Sequence, residues 1–235
     1  MKRILMALTS HDDLGGLRKT GFYVPEAMHT FNIFKARGYE VDFVSPKGGL
    51  PPMDGFKAEN PDHVKFVKDA GIKLEQTLRS DQVDSSLYDV IVYVGGHGTM
   101  WDFPNDTNLS GIAASIYETG GIVGAVCHGP AGLVNIRLSS GEFLVKGKTL
   151  AAFTDSEEES QQLTDVVPFL LESKLRERGA NVVTAANFQA NVQVSDRLVT
   201  GQNPASSTPM AEAIVELLEL SSAIGKASFT AFFGR

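Results

Sequence analysis

The stretch that decides the fold is Gly121-Ile122-Val123-Gly124-Ala125-Val126-Cys127-His128-Gly129-Pro130. A short apolar run followed by glycine and proline predicts a buried β-strand that ends at Val126. Cys127 then lies on the strand-to-helix turn used by nucleophile elbows, where the sulfur is presented above the sheet beside backbone N–H groups. Such donors, or a cationic neighbour, lower the pKa of a thiol, so this position predicts a reactive thiolate. The alternative is that Cys127 is a small buried hydrophobe.

Composition narrows the classes of protein to consider. With 235 residues, 43% of them hydrophobic, the chain can bury a full core, and its length favours one domain. A formal net charge of −7 argues against a nucleic-acid or anionic-membrane surface. The single cysteine cannot form an internal disulfide, and the apolar run Ile4 to Leu8 is too short for a signal peptide or a membrane span. We expect a cytoplasmic protein whose partners are small molecules or other proteins.

Hydrophobic periodicity predicts that strands and helices alternate along the chain. Strands are predicted at 3–9, 40–44, 88–94, 121–126, 181–184 and 192–200, the last turning at Ser195-Asp196, with a hairpin at 142–153. Helices are predicted at 23–37, 62–70, 108–118, 168–178 and 208–220. This alternation implies a mostly parallel sheet with helices on both faces.

Two segments fall outside this alternation. The turn-dense stretch from Ser45 to Leu87 is predicted to be an insertion that covers the sheet. Residues 221–235 have no clear periodicity, and a disordered end, a docking strand and an expression remnant all fit them. We assign no function to this tail.

The residues that follow the strands are the candidates for a site, because ligands of such sheets bind at the carboxyl ends of the strands. After Val94 come Gly95, Gly96 and His97, where backbone N–H groups can approach a ligand oxygen closely and form an oxyanion hole with the N–H of His128. After Phe153 comes an acidic run, 154–159. Its other interpretation is a solvated loop and helix cap.

Glu26 is the remaining candidate. It lies in the first turn of a predicted helix between Val24 and Ala27, so its carboxyl can point toward the sheet. Apolar surroundings raise the pKa of a carboxyl into the range useful for taking and returning a proton. The other interpretation is an ordinary first-turn glutamate favoured by the helix dipole.

The number and positions of the histidines argue against one catalytic mechanism and against a metal site. The chain has only five histidines, and none follows His128. Class I glutamine amidotransferases need a downstream His-x-Glu pair, so amide hydrolysis by that mechanism is disfavoured. The histidine that serves Cys127 must then be His128 itself, held by a carboxylate such as Glu158. Without paired histidine spacing or a second cysteine, we expect no metal and no cofactor.

Six segments of this chain together resemble one known family. They are Ala7-Leu8-Thr9-Ser10, Glu26-Ala27-Met28-His29, Gly95-Gly96-His97-Gly98-Thr99, Ala125-Val126-Cys127-His128-Gly129-Pro130, Phe153-Thr154-Asp155 and Val199-Thr200-Gly201-Gln202-Asn203-Pro204-Ala205-Ser206. The chain resembles the ThiJ/PfpI superfamily, and within it the branch of heat-shock-type glyoxalase III (D-lactate dehydratase) enzymes and chaperones.

The resemblance implies a flavodoxin-like three-layer α/β domain over residues 1–220, with a cap insertion at about 46–87, and usually a homodimer. Cys127 would be the nucleophile, His128 its partner, and Glu26 a hydrogen-bond partner of the sulfur. The third carboxylate would be Glu158, although its two glutamate neighbours leave that register open.

The activity implied by the resemblance is cofactor-independent conversion of methylglyoxal and related 2-oxoaldehydes to 2-hydroxy acids such as D-lactate. The alternatives are a holding chaperone for unfolded proteins or redox-sensing stress protein, and a cysteine peptidase or protein deglycase that uses the same residues. A thiolate beside Glu26 is also expected to oxidise readily to sulfinic acid.

Overall fold

The computed structural model describes the backbone of residues 1–233 and the side chains of residues 1–221. The strands are β1 Arg3–Ala7, β2 Phe22–Tyr23, β3 Glu40–Ser45, β4 Met53–Asp54, β5 Leu78–Arg79, β6 Val90–Tyr93, β7 Ile122–Val126, β8 Thr149–Leu150, β9 Asn181–Val182, β10 Val192–Ser195 and β11 Leu198–Gly201. The α-helices are α1 Val24–Ala36, α2 Pro61–Ala70, α3 Ile72–Glu75, α4 Thr99–Asp102, α5 Thr107–Glu118, α6 Asp155–Ser160, α7 Leu171–Glu177 and α8 Ser207–Phe233.

Seven of these strands form the central sheet of the described chain, in the order β10-β11-β7-β6-β1-β3-β5. The pair β10 and β11 is antiparallel, and the other pairings in the sheet are parallel. Helices α1 and α8 pack together, α8 also contacts β7 and β11, and α5 packs on β6 and β7. This confirms the mostly parallel sheet predicted from the alternation of strands and helices, and the flavodoxin-like α/β fold implied by the family resemblance.

The core strands owe their position to continuous apolar sequence. Every residue of β6 and β7 is buried, as is β1 after Arg3. Strands buried on both faces read as continuous Val, Ile and Leu runs, and each such side chain contributes about 1.5–3 kcal/mol of transfer free energy. Because β6 and β7 are adjacent and parallel, the segments that follow them, beginning at Val94 and Cys127, leave the sheet at the same edge.

The hairpin predicted at 142–153 is wrong. Residues 144–147 form a turn, Phe143 makes an isolated antiparallel bridge with Arg137, and β8 pairs in parallel with β9 in a separate two-stranded sheet. The prediction rested on Lys146-Gly147-Lys148 as the turn of the hairpin, but Leu144 and Val145, which precede it, are buried in a turn and form no strand. The N–H of Gly147 donates to the carbonyl of Gly179, 2.8 Å away, so this turn contacts the segment before β9.

Two further boundaries differ from the predictions. Helix α7 begins at Leu171, so Pro168 precedes it and does not occupy its first turn. Helix α8 continues to Phe233, which excludes a docking strand for most of the tail, while the last two residues lie outside the described chain. Among the described residues, no helix has the length and apolar character needed to cross a bilayer.

The segment 46–87 contains β4, α2, α3 and β5. Strand β5 pairs with β3 at the edge of the central sheet, and β4 pairs with β2. Phe66 of α2 packs edge-on against Phe31 of α1, with ring centroids 5.4 Å apart. Gly55 lies directly under the ring of Tyr23, where a Cβ would be 2.5 Å from a ring carbon. The segment therefore fixes an aromatic residue that precedes α1.

Candidate active site

Cys127 occupies a strained turn at the end of β7. Its φ is +60°, in the left-handed region that costs a non-glycine residue about 1–2 kcal/mol. Two backbone hydrogen bonds hold this conformation: the Cys127 N–H donates to Gly201 at 2.9 Å, and its carbonyl accepts from the N–H of Phe153 at 2.9 Å. Strain that the surroundings enforce in this way is typical of functional positions. The sulfur faces a cavity, although the residue is only 4% exposed.

The prediction that Cys127 has a lowered thiol pKa is wrong. Burial, followed by the nearby Glu26 carboxyl, raises the pKa of Cys127 well above its ordinary value, and the His128 N–H offsets only part of that rise. The turn continues into a 3₁₀ helix, Gly129–Leu133, and not into an α-helix with a full N-terminal dipole. Within the described residues, no lysine or arginine hydrogen-bonds to the sulfur. The resting group is therefore a thiol, and it needs a base.

His128 lies where such a base is required. Its Nδ1 is 3.4 Å from the Cys127 Sγ, and its Nε2 is 2.7 Å from Oε2 of Glu158. Burial, reinforced by His97, lowers the pKa of His128 to about 4, so the ring is neutral near pH 7. A carboxylate can only accept a hydrogen bond, which assigns the proton to Nε2 and leaves the Nδ1 lone pair facing the thiol.

Helix α6 decides which glutamate of the acidic run meets His128. Thr154 caps the helix and forms a capping box with Glu157, whose carboxylate accepts from the Thr154 N–H at 2.9 Å. One residue further around the helix, Glu158 faces His128, and Glu159 is exposed. Burial acts to raise the pKa of Glu158, but hydrogen bonds from His128 and His97 outweigh it and lower that pKa to about 2. The run is thus both a helix cap and part of the site.

The side chain of His97 is the contact that sequence reasoning missed. Its Nε2 is 2.9 Å from Oε1 of Glu158, and its ring lies 4.1 Å from the His128 ring, centroid to centroid. The sequence predicted a role for the backbone of this residue alone, as part of the oxyanion hole. The sequence held part of the signal, since His97 and His128 each follow a predicted strand, whereas the pairing of these strands, β6 and β7, is known from the structure.

Glu26 is fully buried in the first turn of α1, as its apolar neighbours predict. Burial raises the pKa of this carboxyl to about 8, and the adjacent Cys127 thiol and Gly95 N–H offset part of the rise. Neither neighbour has the geometry of a hydrogen bond, and among the described residues both Glu26 oxygens lack a partner. The hydrogen bond to sulfur implied by the resemblance is therefore not formed, although the two groups are adjacent.

The glycines after β6 make room for this arrangement. A Cβ on Gly95 would lie 2.5 Å from Oε2 of Glu26 and 2.7 Å from the carbonyl of Val126. Gly96 has φ +107°, and a Cβ there would lie 2.3 Å from the Gly21 carbonyl. Within the described chain, the N–H of Gly96 donates to no backbone carbonyl, and the N–H of His128 is directed at the Cys127 sulfur, so both lie where they can bind the oxygen of a ligand held at that sulfur.

A cavity of about 280 Å³ opens beside the sulfur. Phe153 and Phe188 give it an aromatic wall, with ring centroids 6.2 Å apart. Phe188 has φ +61°, and its N–H donates to Oε1 of Glu157 at 2.7 Å. At the other side, Arg18 forms an ion pair with Asp54 at 2.9 Å. The cavity suits a small polar molecule better than an extended peptide.

The folded chain also gathers three metal-binding side chains that sequence spacing did not reveal. The ligand atoms of His97, His128 and Glu158 all lie within 4.8 Å of one another.

Residues 17–217 match the sequence model of the DJ-1/PfpI family. The chain belongs to the DJ-1/PfpI family. Glyoxalase 3 of Candida albicans is 33% identical over 93% of this chain and 99% of the relative. The glutathione-independent glyoxalase HSP31 of Saccharomyces cerevisiae is 34% identical over 93% and 98%. The crystal structure of glyoxalase III from C. albicans superposes with a TM-score of 0.84 at 31% identity, covering 92% of this chain and 96% of that one.

Family membership agrees with the resemblance drawn from the six sequence segments. The coverage of these relatives extends over nearly their whole length, so the comparison includes the strand ends that carry the site. Relatives named as glyoxalases indicate an enzyme of glyoxalase type.

Proposed function

We propose that this protein is a glutathione-independent glyoxalase that converts methylglyoxal and related 2-oxoaldehydes to 2-hydroxy acids through a Cys127–His128–Glu158 site. The observation that carries the proposal is the line of contacts from Sγ to Nδ1 at 3.4 Å and from Nε2 to the carboxylate at 2.7 Å. A nucleophile, a base and a group that orients the base are what acyl and carbonyl addition chemistry requires.

The first step is addition of sulfur to the aldehyde carbon. His128 Nδ1 accepts the thiol proton while the C–S bond forms and the C=O π pair moves to oxygen. The N–H groups of Gly96 and His128 stabilise the developing oxyanion. Protonation of that oxygen by His128 gives a hemithioacetal and restores the neutral ring.

The second stage moves a hydrogen from C1 to C2. One proton leaves C1 as the neighbouring carbonyl oxygen is protonated, which gives an enediol. A proton then adds to C2 while the C1 hydroxyl loses its proton, so that C1 becomes the thioester carbonyl. The Glu26 carboxyl is suited to this exchange, because its pKa of about 8 lies close to neutral pH. The product is a 2-hydroxy thioester on Cys127. Water activated by His128 hydrolyses it, which releases the acid and the thiol, so aldehyde plus water gives lactate without a cofactor.

The decisive experiment is an assay of the purified protein with methylglyoxal and no glutathione, following D-lactate. Cys127→Ser is expected to lower the rate at least about a thousandfold. Glu159→Gln, a change of the exposed neighbour of Glu158, is the matched control and should leave the rate unchanged. Full activity of the serine variant would exclude this mechanism.

A second candidate function, a holding chaperone, is supported by the surface of the cap. Six large apolar side chains are exposed along this segment: Leu50, Phe56, Val64, Ile72, Leu78 and Leu87. Exposed apolar surface can bind unfolded segments of other proteins. Suppression of client aggregation by Cys127→Ser, equal to that of the wild type, would support a function independent of the thiol.

Peptidase or deglycase activity ranks below both, because the cavity of about 280 Å³ offers no extended groove for a peptide. We also propose a cytoplasmic homodimer. Light scattering tests the dimer, and the single cysteine is consistent with a reducing compartment.

A further inference from the structure

A compact donor set lies on the side of His128 opposite the thiol. Oxygen Oε1 of Glu158 contacts His97 Nε2 at 2.9 Å, and Oε2 contacts His128 Nε2 at 2.7 Å. The ligand atoms of the three residues lie within 4.8 Å of one another. Both rings line the substrate cavity, and the His97 side chain is 14% exposed, so a small ion can reach the cluster.

We propose that His97, His128 and Glu158 form a Zn²⁺ site, and that zinc bound there inhibits the enzyme. Two imidazoles and one carboxylate are the ligand set of one class of zinc site that keeps a fourth position open. Zinc binds nitrogen and oxygen at about 2.0–2.2 Å, which separates neighbouring ligand atoms by roughly 3.3–3.5 Å. The two hydrogen-bonded pairs are somewhat closer than that, and a small movement of the partly exposed His97 opens the required space.

Zinc binding would exchange the donor and acceptor roles of the two ring nitrogens of His128. In the free protein Nε2 carries the proton and Nδ1 accepts. When zinc takes the Nε2 lone pair, the ring proton moves to Nδ1, so the imidazole stays neutral and no net proton is released from it. Nδ1–H then faces the Cys127 sulfur, 3.4 Å away, as a donor. The thiol loses its base, and Glu158 no longer orients the ring.

The inhibitory part of this proposal rests on the proposed function, whereas zinc binding does not. Zinc could instead bind at one alternative site, formed by Cys127 Sγ and His128 Nδ1. The two sites differ in spectroscopy, because cobalt on a thiolate gives an intense near-ultraviolet charge-transfer band that nitrogen and oxygen ligands do not give. Each can also be removed separately by mutation.

The test is calorimetric titration of the purified, metal-free protein with Zn²⁺ alone, in the wild type and four variants. We expect one zinc per chain, unchanged affinity for Cys127→Ser, and affinity lowered at least about tenfold for His97→Asn and Glu158→Gln. His29→Asn, which removes an exposed histidine of α1, is the matched control and should bind like the wild type. Circular dichroism establishes that each variant is folded.

The wild-type protein gives a second readout that needs no variant. Cobalt should produce visible bands of a four- or five-coordinate site without the thiolate charge-transfer band, and zinc should inhibit lactate formation reversibly, with chelator restoring it. Absence of zinc binding, affinity unaffected by His97→Asn, loss of binding in Cys127→Ser, or a cobalt–thiolate band would each overturn the proposal. Zinc binding without lactate formation in the metal-free enzyme would count against the proposed function and leave the metal site standing.

Discussion

Glu158 determines which nitrogen of His128 faces the thiol. The carboxylate oxygen Oε2 lies 2.7 Å from Nε2, and it can only accept. The proton therefore stays on Nε2, and Nδ1 presents its lone pair to Cys127. The thiol pKa is raised, so the reactivity of this site depends on that assignment and not on a resting thiolate.

Glu158→Gln should therefore impair catalysis through the tautomer. The amide can donate to Nε2, which favours a proton on Nδ1 and blocks its role as a base. We expect kcat to fall by about 10²–10⁴-fold, with a smaller change in KM. Steady-state kinetics with methylglyoxal measures this. A loss of less than threefold, or an equal loss in Glu159→Gln, would contradict the assignment.

Glu26 should make the protein less stable as pH rises. Its pKa is about 8 in the folded chain against an ordinary value of 4.5, so between these values the folded state retains a proton that the unfolded state has lost. The free energy of unfolding contributed by this group is then complete below about pH 4.5 and declines toward pH 8.

Glu26→Gln removes this term. Its stability relative to the wild type should increase from about pH 5 to pH 8 by a few kcal/mol, on the order given by the pKa difference. Urea unfolding across that range measures the difference, and any pH-independent cost of the amide cancels. Glu212→Gln, on the exposed face of α8, is the control. Parallel stability curves for Glu26→Gln and wild type would refute the raised pKa.

Gly95→Ala should damage both stability and activity. The added Cβ would lie 2.5 Å from the Glu26 carboxyl and 2.7 Å from a backbone carbonyl, which cannot move without displacing β7. Overpacking of this kind costs about 1–3 kcal/mol. Thermal unfolding and the lactate assay measure both effects.

The control is Gly111→Ala in the middle of α5, where no atom lies within 4 Å of the added methyl group. That change should stabilise the protein by about 0.5–1 kcal/mol, because alanine favours the helix. Equal effects of the two substitutions would mean that the contact at Gly95 is not limiting.

Peroxide should oxidise Cys127 slowly at neutral pH, contrary to the expectation of a low-pKa thiolate. Peroxide attacks the thiolate, and burial together with Glu26 raises the thiol pKa. Intact-mass spectrometry should show the gain of two oxygens accelerating from about pH 6 to pH 9. Glu26→Gln should oxidise at a rate similar to the wild type near pH 6, where Glu26 is neutral, and faster near pH 9, where the substitution removes a negative charge beside the sulfur. A rate independent of pH would indicate that the thiol is already ionised.

The sequence predicted those site residues whose position follows directly from the end of a strand or from the register of a helix. Cys127 and Gly95 follow buried apolar runs, and runs of this kind locate strand ends well. Glu158 could be proposed only with its neighbours, because the start of α6 at Asp155 depends on the Thr154 capping box. One residue of slippage would have turned a different glutamate toward His128.

What the sequence could not supply was burial and the pairing of distant segments. The thiol pKa depends on the approach of Glu26, about a hundred residues away in the chain, to a closed pocket. The hairpin at 142–153 failed for a related reason, since β8 pairs with β9 across the intervening α7. Local periodicity carries no information about such partners.

The left-handed backbone conformation of Cys127 lowers the stability of the fold at the residue that supplies the nucleophile. Glycine would adopt φ +60° without the cost that cysteine bears, so Cys127→Gly is expected to yield a sturdier protein with no nucleophile. Selection for thermal stability alone would therefore favour glycine at this position, and the protein would lose its nucleophile. At this position the cysteine costs the fold some stability and gives the site its nucleophile.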